Sequence, residues 1–479
     1  MSAQRSALRL AFYGDDFTGS TDALEVLTFA GYRCALFLEP PSIEMLENLG
    51  PFDAIGVAGN SRAMSPIDML SALPPILEAL AKLPVPIVHY KVCSTFDSGA
   101  EVGSIGNVMD LCRASFGEGL IPVVAATPAL GRYCVFGHLF ARSGTDGQVY
   151  RLDRHPIMMN HPVTPMLESD LKVHLGAQTH QRIAGIPWLH LELSREILDH
   201  EVDQIEASGA DALLFDGTTA QHLTEVGRQL ERLAHERIKG KKGNKGNEGG
   251  KPLFAVGSSG LEYALTQWWR ARGDQQAIEA PQQWAPIEPV AQVLAVSASA
   301  SALSALQIDA AIEADFVELA INAKDLIAGK DTTGAYQELR QSALAHLRAG
   351  KSVILHTARG NQDERISDLV RACQGDGLSF GQARLQAGWQ LGRCLGRLTE
   401  DLIREHPVPR LLLSGGDTSS AIMQQLGPQA LEVVARISPG VPLCKLRADQ
   451  PHLRSMQVAL KGGQMGLRDF FVTAKQGHA

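Results

Sequence analysis

Short apolar runs alternate with longer amphipathic stretches along most of the chain. The apolar runs predict strands, and the amphipathic stretches between them predict helices. In the first half the predicted strands are residues 8–13, 33–38, 54–58, 86–90, 121–126, 187–191, 212–215 and 252–256, and helical stretches include 21–29, 66–83, 165–178 and 194–207. This alternation predicts an α/β fold whose mostly parallel sheets are flanked by helices.

The strand–helix rhythm restarts near residue 292, after two segments of low periodicity. Residues 240–251 are rich in glycine and lysine and predict a flexible loop. Residues 274–290 contain three prolines and predict a linker. Five strands are predicted beyond it, at 292–297, 316–321, 352–356, 410–414 and 457–460, with a long helix at 381–405. We therefore predict two domains, residues 1–273 and 291–479, with the active site in a cleft between them.

The composition of the 479 residues narrows the function classes. Hydrophobic residues make up 45% and charged residues 20%, which is typical of a globular protein. A net charge of −8 disfavours a nucleic-acid-binding surface, which needs a clustered basic face. The seven cysteines contain no CxxC pair and predict reduced thiols in a cytoplasmic protein. No signal-peptide pattern and no apolar run of about 20 residues is found, so a membrane partner is not expected.

Two adjacent aspartates, Asp15 and Asp16, follow the first predicted strand in the segment GDDFTGSTD at residues 14–22. Ligands of open α/β sheets bind beyond the carboxyl ends of the strands. Two close carboxylates raise each other's pKa, so such a pair usually serves proton transfer, a metal or a polyol substrate. Thr18 and Thr21 are predicted to cap the next helix. The structural alternative is that both aspartates merely end a strand and cap a helix, although capping needs only one carboxylate.

Polar residues follow three more strands at the same predicted sheet edge. Arg62 follows the third strand, Lys91 begins the segment after the fourth, and Arg132 ends the segment after the fifth. A guanidinium binds a carboxylate through two parallel N–H bonds. An acidic pair together with these cations and nearby hydroxyls suits a small hydroxylated acid.

Cysteine and histidine chemistry is disfavoured. A nucleophilic Cys93 would need a histidine, but His89 would lie about 13 Å away along a strand. The fifteen histidines show no HExxH or related spacing, and no metal site with direct protein ligands is predicted. His155, His161 and His174 are interpreted as loop and surface residues, with a substrate contact by one of them as the alternative.

Three strand ends of the second half carry glycine and serine loops. They read SASAS at residues 297–301, GGDTSS at 415–420 and KGGQMG at 461–466. No GxxxxGK[ST] loop and no protein-kinase signature occurs. A glycine pair at the start of a helix offers free N–H groups to phosphate oxygens. The three loops together predict a nucleotide site.

Six segments together resemble the four-carbon acid sugar kinase family. They are DDFTGSTD at 15–22, KxxST at 91–95, HPVTPMLESDL at 161–171, VSASASALSALQI at 296–308, SGGDTSSAI at 414–422 and LKGGQMG at 460–466. They cover nearly the whole chain in the family's order. In that family an N-terminal domain binds the acid sugar and a C-terminal domain binds ATP. Known activities phosphorylate threonate, erythronate, 3-oxo-tetronates and the branched 3-oxo-isoapionate.

The resemblance implies roles for individual residues and for the cofactors ATP and Mg²⁺. Asp16 and Asp15 would be catalytic, with the order of their roles open. Substrate contacts are assigned to Arg62, Lys91, Ser94, Thr95 and Asp97, and nucleotide contacts to Ser299, Gly415, Gly416, Asp417, Thr418 and Gly463.

Two departures from the family pattern bear on the substrate. Where the family often reads KxDSTLRG, this chain has Cys93 in place of the aspartate and Asp97 in place of the arginine. Exchange of a cation for an anion disfavours threonate and erythronate and favours the 3-oxo-isoapionate branch. Ala298 also replaces a glycine beside Ser299, which is tolerable if its φ is negative.

The sequence therefore predicts an ATP-dependent kinase acting on a terminal hydroxyl of a small sugar acid, with 3-oxo-isoapionate and its 4-phosphate as the best candidates. The alternatives are a kinase for 3-oxo-tetronate, threonate or erythronate, and a sugar-acid-binding protein without catalysis. A dehydrogenase is disfavoured because no GxGxxG follows the first strand. The expected partners are the sugar acid and ATP, without nucleic acid or membrane, and a homodimer is one candidate assembly.

Overall fold

The computed structural model describes residues 8–143, 147–161, 163–240, 250–274, 286–328, 334–374 and 380–477. Its strands are β1 (Leu10–Gly14), β2 (Cys34–Phe37), β3 (Ala54–Ala58), β4 (Ile87–Lys91), β5 (Ile121–Val124), β6 (Arg132–Val135), β7 (His138–Arg142), β8 (Val149–Arg151), β9 (Ile183–Ile186), β10 (Ala212–Phe215), β11 (Leu253–Gly257), β12 (Val293–Ser297), β13 (Val317–Ala320), β14 (Val353–His356), β15 (Arg410–Ser414), β16 (Ala430–Ser438), β17 (Val441–Arg447) and β18 (Gln457–Lys461).

Helices separate most of the strands. They are α1 (Phe17–Phe29), α2 (Ile43–Leu49), α3 (Pro66–Ala81), α4 (Ile105–Phe116), α5 (Leu171–Gly176), α6 (Arg195–Ala207), α7 (Ala220–Lys239), α8 (Gly260–Ala271), α9 (Ala302–Glu313), α10 (Ala323–Ala328), α11 (Gly334–Arg348), α12 (Glu364–Cys373), α13 (Phe380–Glu405), α14 (Gly416–Leu426) and α15 (Phe470–Gln476).

The internal contacts divide the chain into two compact units. The N-terminal unit takes most of the chain up to Asp274, and the C-terminal unit takes most of the chain from residue 286 onward together with Asp16–Glu25 and Leu36–Leu38. The exact domain bounds, 1–273 and 291–479, stay a prediction. The predicted loop at 240–251 and linker at 274–290 lie for the most part outside the described residues.

Each unit is built on a mostly parallel sheet, as the sequence predicts. The strand order is β2-β3-β1-β4-β11-β5-β10-β9 in the N-terminal part and β13-β14-β12-β15-β18-β17-β16 in the C-terminal part. The central strands are buried along their length; β15, for example, has the sequence RLLLS and no exposed position. Continuous apolar runs of this kind are expected where helices cover both faces of a parallel sheet.

Twelve of the thirteen predicted strands are confirmed within two residues at each end. The prediction of a strand at 187–191 is wrong, because Trp188–Glu192 forms a 3₁₀ turn and the strand is Ile183–Ile186. That strand lies at the edge of its sheet and is only partly buried, so its apolar signal is weak. The helical stretch 165–178 contains only the short Leu171–Gly176.

The antiparallel parts of the fold are absent from the sequence prediction. Strands β6, β7 and β8 form a separate three-stranded sheet, and β16 and β17 form a hairpin. Their partly exposed positions interrupt the apolar runs by which the parallel strands were identified. Among the described residues no helix is both long and apolar enough to span a bilayer.

Candidate active site

Four neighbouring strands of the N-terminal sheet end at one level. Gly14 is in register with Ala58 on one side and with Lys91 on the other, and Lys91 is in register with Gly257. The backbone N–H of Asp15 extends the ladder by donating to the Lys91 carbonyl at 2.8 Å. Since ligands bind beyond the carboxyl ends of such strands, this edge is where the sequence predicted the substrate.

Asp16 caps helix α1. Its Oδ1 accepts the backbone N–H of Gly19 at 2.6 Å, and its Oδ2 accepts the hydroxyl of Thr18 at 3.0 Å. The prediction that Thr18 and Thr21 cap this helix is wrong, because both lie inside it and the Thr21 hydroxyl donates to the Thr18 carbonyl. Aspartate is among the strongest N-cap residues, and it starts the helix one turn earlier than the sequence suggested.

Asp15 is held by the sheet edge rather than by the helix. Its carbonyl accepts the backbone N–H of Arg62 at 3.0 Å, and the residue is only 4% exposed. Two tyrosines lie near its carboxylate: burial first, and then the charge of Asp15, raises the pKa of Tyr90, and the same effects raise the pKa of Tyr13 to about 12. One carboxylate of the pair therefore caps a helix and the other faces a buried aromatic environment.

Arg62 and Asp97 form the charged centre of a polar cluster. Burial opposes the ionisation of Asp97, but the positive charge of Arg62 and a hydrogen bond from Thr95 outweigh it and lower the pKa of this carboxyl. The Thr95 hydroxyl donates to Asp97 Oδ1 at 2.5 Å and also contacts Cys93 Sγ at 3.1 Å. The structure thus brings together four residues that the sequence singled out, and it places an anion beside the predicted carboxylate-binding arginine.

Cys93 has the electrostatics of a buried thiol. Burial, followed by the charge of Asp97, raises its pKa to about 12. His89, the histidine considered as its partner, instead binds Glu262 at 2.6 Å and the Gly257 carbonyl at 3.0 Å. These positions agree with the sequence argument against a nucleophilic cysteine, since the thiolate is the nucleophile.

His174 fixes the segment that carries Asp97, a function that the sequence did not indicate. Its Nε2 accepts a hydrogen bond from Gln178 at 3.1 Å and contacts the Ser98 hydroxyl at 2.9 Å. Burial lowers its pKa, which favours the neutral ring. Phe96 has a φ of 52°, a conformation that non-glycine residues adopt rarely and that surrounding contacts must hold. The only sequence signal was the HPVTPMLESDL segment preceding this helix.

The other polar residues that the sequence singled out are mostly buried or hydrogen-bonded. Lys91 is 1% exposed, and the Ser94 hydroxyl accepts a hydrogen bond from Arg132 Nε at 3.3 Å. His161 contributes to the lowered pKa of Asp97, while its Nδ1 accepts the backbone N–H of Thr164. The interpretation of His155 as a surface residue is wrong: it is 4% exposed and accepts two backbone N–H groups.

In the C-terminal sheet three adjacent strands also end in register, at Ser297, Ser414 and Lys461. The loops that follow them meet in a network of hydroxyl groups. Ser299 Oγ accepts the Ser304 hydroxyl at 2.8 Å, and the Gly463 carbonyl accepts hydrogen bonds from the hydroxyls of Ser301 and Ser304. The third loop joins them at Gly415, whose backbone N–H donates to the Lys461 carbonyl at 3.0 Å, so the three glycine and serine loops of the sequence converge on one place.

At two positions where these loops meet, the structure favours glycine over a residue with a side chain. A Cβ atom at Gly463 would lie 2.6 Å from Ser299 Oγ, which is closer than any side chain tolerates without rearrangement. Gly415 has a φ of +119° and is the N-cap of helix α14, whose first turn includes Asp417 and Thr418. Ala298 does not have a positive φ, so its methyl group is accommodated as expected.

The described residues contain no group of three or more histidine, cysteine, aspartate or glutamate side chains that is placed to hold a metal ion. None of the seven cysteines is placed in a disulfide bond.

Comparison with known proteins assigns a family to each half of the chain. Residues 10–265 match a family described as a sugar-binding N-terminal domain, and residues 294–471 match a nucleotide-binding C-terminal domain. Helix α1 and the Asp97 segment fall in the first match, and all three glycine and serine loops fall in the second.

Full-length relatives are named as kinases. The chain is 37% identical over 477 residues to a 3-oxo-isoapionate kinase of Paraburkholderia graminis, covering 99% of this chain and 96% of the relative. It is 31% identical over 475 residues to a 3-oxo-tetronate kinase of Pseudomonas savastanoi pv. phaseolicola, covering 99% and 98%.

A solved structure has the same fold. A crystal structure from Salmonella typhimurium LT2, named as a tRNA synthase, superposes with a TM-score of 0.70 at 21% identity over 98% of this chain and 99% of the other. At this identity the likeness concerns the fold alone. The two domain matches and the full-length kinase relatives agree with the six sequence motifs, and the chain belongs to the four-carbon acid sugar kinase family.

Proposed function

We propose that this kinase transfers the γ-phosphoryl group of ATP to a terminal hydroxyl of 3-oxo-isoapionate. The observation that carries the choice of substrate is the buried Asp97 carboxylate beside Arg62. An anion at this point accepts hydrogen bonds from hydroxyl groups, whereas a cation there would bind carboxylate oxygens. A branched acid offers an additional hydroxyl. The 37% identity to a relative named for this substrate supports the proposal.

The N-terminal residues would bind and orient the acid. Arg62 and Lys91 would hold its carboxylate, and Ser94, Thr95 and Asp97 would bind its hydroxyl groups. Asp16 would orient the attacking hydroxyl and accept its proton, because its capping bonds hold the carboxylate in one position. Asp15 would bind a neighbouring hydroxyl. The variants Asp16→Asn and Asp15→Asn distinguish this assignment from the one in which Asp15 accepts the proton.

The C-terminal loops would hold the nucleotide. The backbone N–H groups of Gly415, Gly416 and Gly463 would contact phosphate oxygens, helped by the positive end of the α14 dipole. The side chains of Ser299, Asp417 and Thr418 complete the proposed site. Mg²⁺ would be bound mainly through phosphate oxygens and water, neutralising charge on the β- and γ-phosphates.

Phosphoryl transfer requires positioning and charge neutralisation more than covalent chemistry from the protein. The proposal therefore requires that the γ-phosphate and the acceptor hydroxyl come within bonding reach during turnover. No step calls for a thiolate, which agrees with the raised pKa of Cys93.

An ADP-release assay over a panel of acids tests the proposal. The panel contains 3-oxo-isoapionate, 3-oxo-tetronate, threonate and erythronate, each with MgATP. We expect the highest kcat/KM for 3-oxo-isoapionate. A second candidate is 3-oxo-tetronate, because several relatives carry that name. If threonate or erythronate is the best acceptor, the argument from Asp97 is wrong; if no acid releases ADP, the kinase assignment of this chain fails.

A further inference from the structure

Lys461 is a buried lysine at the end of strand β18, directly before the glycine pair of the predicted nucleotide loop. It is 0% exposed. Its Nζ donates to the Gly462 carbonyl at 3.0 Å and to Ser304 Oγ at 3.3 Å, and it lies 5.9 Å from the centre of the Phe470 ring. The ammonium group is therefore placed against the back of the glycine turn and the first turn of helix α9.

The charged groups on the neighbouring elements are engaged elsewhere. On α9, Asp309 pairs with Arg359 and Glu313 pairs with Arg468. The remaining charged residues on the packed elements are Asp417 on α14, which is exposed, and Asp469 and Lys475 at α15. On β15 the Arg410 guanidinium donates to Gln457 and to backbone carbonyls, and on β17 Arg447 pairs with Glu432 while Lys445 carries a further positive charge. Lys461 itself forms no ion pair within the described part of the chain.

A buried cation without an acidic partner is costly, because desolvation disfavours its charged form. Burial accordingly lowers the pKa of Lys461 to about 7. The hydroxyl and carbonyl oxygens around it accept hydrogen bonds but carry no charge that compensates the ammonium. A nucleotide bound at the glycine turn would supply that charge.

We propose that Lys461, buried behind the glycine turn without an acidic partner, is the proton-accepting positioning residue of the nucleotide site, and that it takes up a proton when nucleotide phosphates occupy the Gly462–Gly463 turn. The inference rests on the proposed function, since it requires the nucleotide at this loop. The Gly463 carbonyl is bound to the hydroxyls of Ser301 and Ser304, and Ser304 also accepts from Lys461. The charge on Lys461 therefore acts on the loop through one hydroxyl and one peptide group.

The direction of the proton follows from electrostatics. Phosphate oxygens carry several negative charges, and an opposite charge favours the protonated form of a lysine. At pH 8 a terminal phosphate with a pKa of about 6 is already ionised, so its own protonation changes very little on binding. Binding at pH 8 must then draw a proton from the buffer, and binding well below pH 7 must not.

Isothermal titration calorimetry of the full chain with MgADP, in HEPES and in Tris at pH 8 and in MES and in imidazole at pH 6, measures this proton. At each pH the two buffers differ in ionisation enthalpy, so the difference in binding heat gives the number of protons taken up. We expect a clear uptake of protons at pH 8, falling towards zero at pH 6. Lys461→Met should abolish the uptake and weaken MgADP binding tenfold or more at pH 7. Lys445→Met, on the neighbouring strand β17, should change neither.

The outcomes separate this inference from the function on which it rests. Binding of MgADP with equal heats in both buffers at pH 8 overturns the role of Lys461 and leaves the nucleotide site intact. Absence of MgADP binding in either buffer overturns both. If Lys461→Met does not fold, the wild-type measurements at pH 8 and pH 6 still show whether MgADP binding takes up a proton.

Discussion

The Oδ1 atom of Asp16 accepts a hydrogen bond from the backbone N–H of Gly19 at 2.6 Å, while the carbonyl of the adjacent Asp15 accepts the N–H of Arg62. The two aspartates therefore have different anchors, a helix start and a sheet edge. An aspartate at an N-cap can be replaced by asparagine without loss of the hydrogen bond to the helix. A carboxylate that accepts a proton, by contrast, loses that function with its charge. This difference separates the structural role of Asp16 from its proposed chemical role.

Asp16→Asn should fold normally and lose activity. Asparagine caps helices about as well as aspartate, so the urea midpoint should stay unchanged. Loss of the proton acceptor should reduce kcat by about 10²- to 10⁴-fold. Asp16→Ala should in addition lower the free energy of unfolding by about 0.5–2 kcal/mol, since it removes the cap. Both quantities are measurable by urea denaturation and ADP release.

Asp15→Asn is the matched control for that assignment. A larger fall in kcat for Asp15→Asn than for Asp16→Asn would reverse the two roles. Full activity in Asp16→Asn would remove Asp16 from the chemistry and leave it only as a cap.

Asp97→Asn tests the origin of substrate choice. The amide keeps an oxygen for the Thr95 hydroxyl but removes the negative charge beside Arg62. We expect KM for 3-oxo-isoapionate to rise tenfold or more, and the ratio of kcat/KM between 3-oxo-isoapionate and threonate to fall by a similar factor. Asp199→Asn removes the charge of an aspartate on helix α6 that pairs with Arg228 on helix α7, and it should leave the ratio unchanged. An unchanged ratio in Asp97→Asn would place specificity elsewhere.

Much of the fold was predictable because buried parallel strands are short, continuous apolar runs, as in β15. The antiparallel sheet β6-β7-β8 was missed because its strands are partly exposed and interrupted by polar residues. In the candidate site, the residue types at the strand ends indicated Asp15, Arg62 and Lys91. The contribution of His174 was not predictable, since a histidine 76 positions from Ser98 reaches it only through the tertiary fold.

Gly463→Ala should impair nucleotide binding specifically. The added methyl group would lie 2.6 Å from Ser299 Oγ, and that hydroxyl must move away from its bonds to Ser301 and Ser304. We expect the Kd for MgADP to rise tenfold or more while KM for the acid stays within twofold. Gly388→Ala, in helix α13 with no atom near the added methyl, should leave the Kd unchanged and stabilise the helix slightly. A normal Kd for Gly463→Ala would separate this loop from the nucleotide.

The buried pair of His89 and Glu262 should contribute to stability rather than to turnover. Both side chains are 0% exposed, and the histidine Nε2 faces the Gly257 carbonyl. Glu262→Met leaves His89 Nδ1 buried without its partner, so the free energy of unfolding should fall by about 3 kcal/mol or more. Glu78→Met, which breaks an exposed pair with Lys82, should not shift the urea midpoint measurably. Equal midpoints for both variants would contradict the stabilising role.

Lys461→Met should stabilise the empty protein at neutral pH, and the gain should shrink as the pH rises. The folded-state pKa of Lys461 is lowered to about 7, while an unfolded lysine titrates near 10.4. Between these values the unfolded state binds more protons, so stability of the wild type rises with pH through this window and the penalty of burying the lysine disappears above it. Methionine has no such penalty. The difference in urea midpoint between the two proteins, measured from pH 7 to pH 10, should therefore decrease steadily. A pH-independent difference would mean that Lys461 keeps its proton in the folded chain, which would also contradict proton uptake on nucleotide binding.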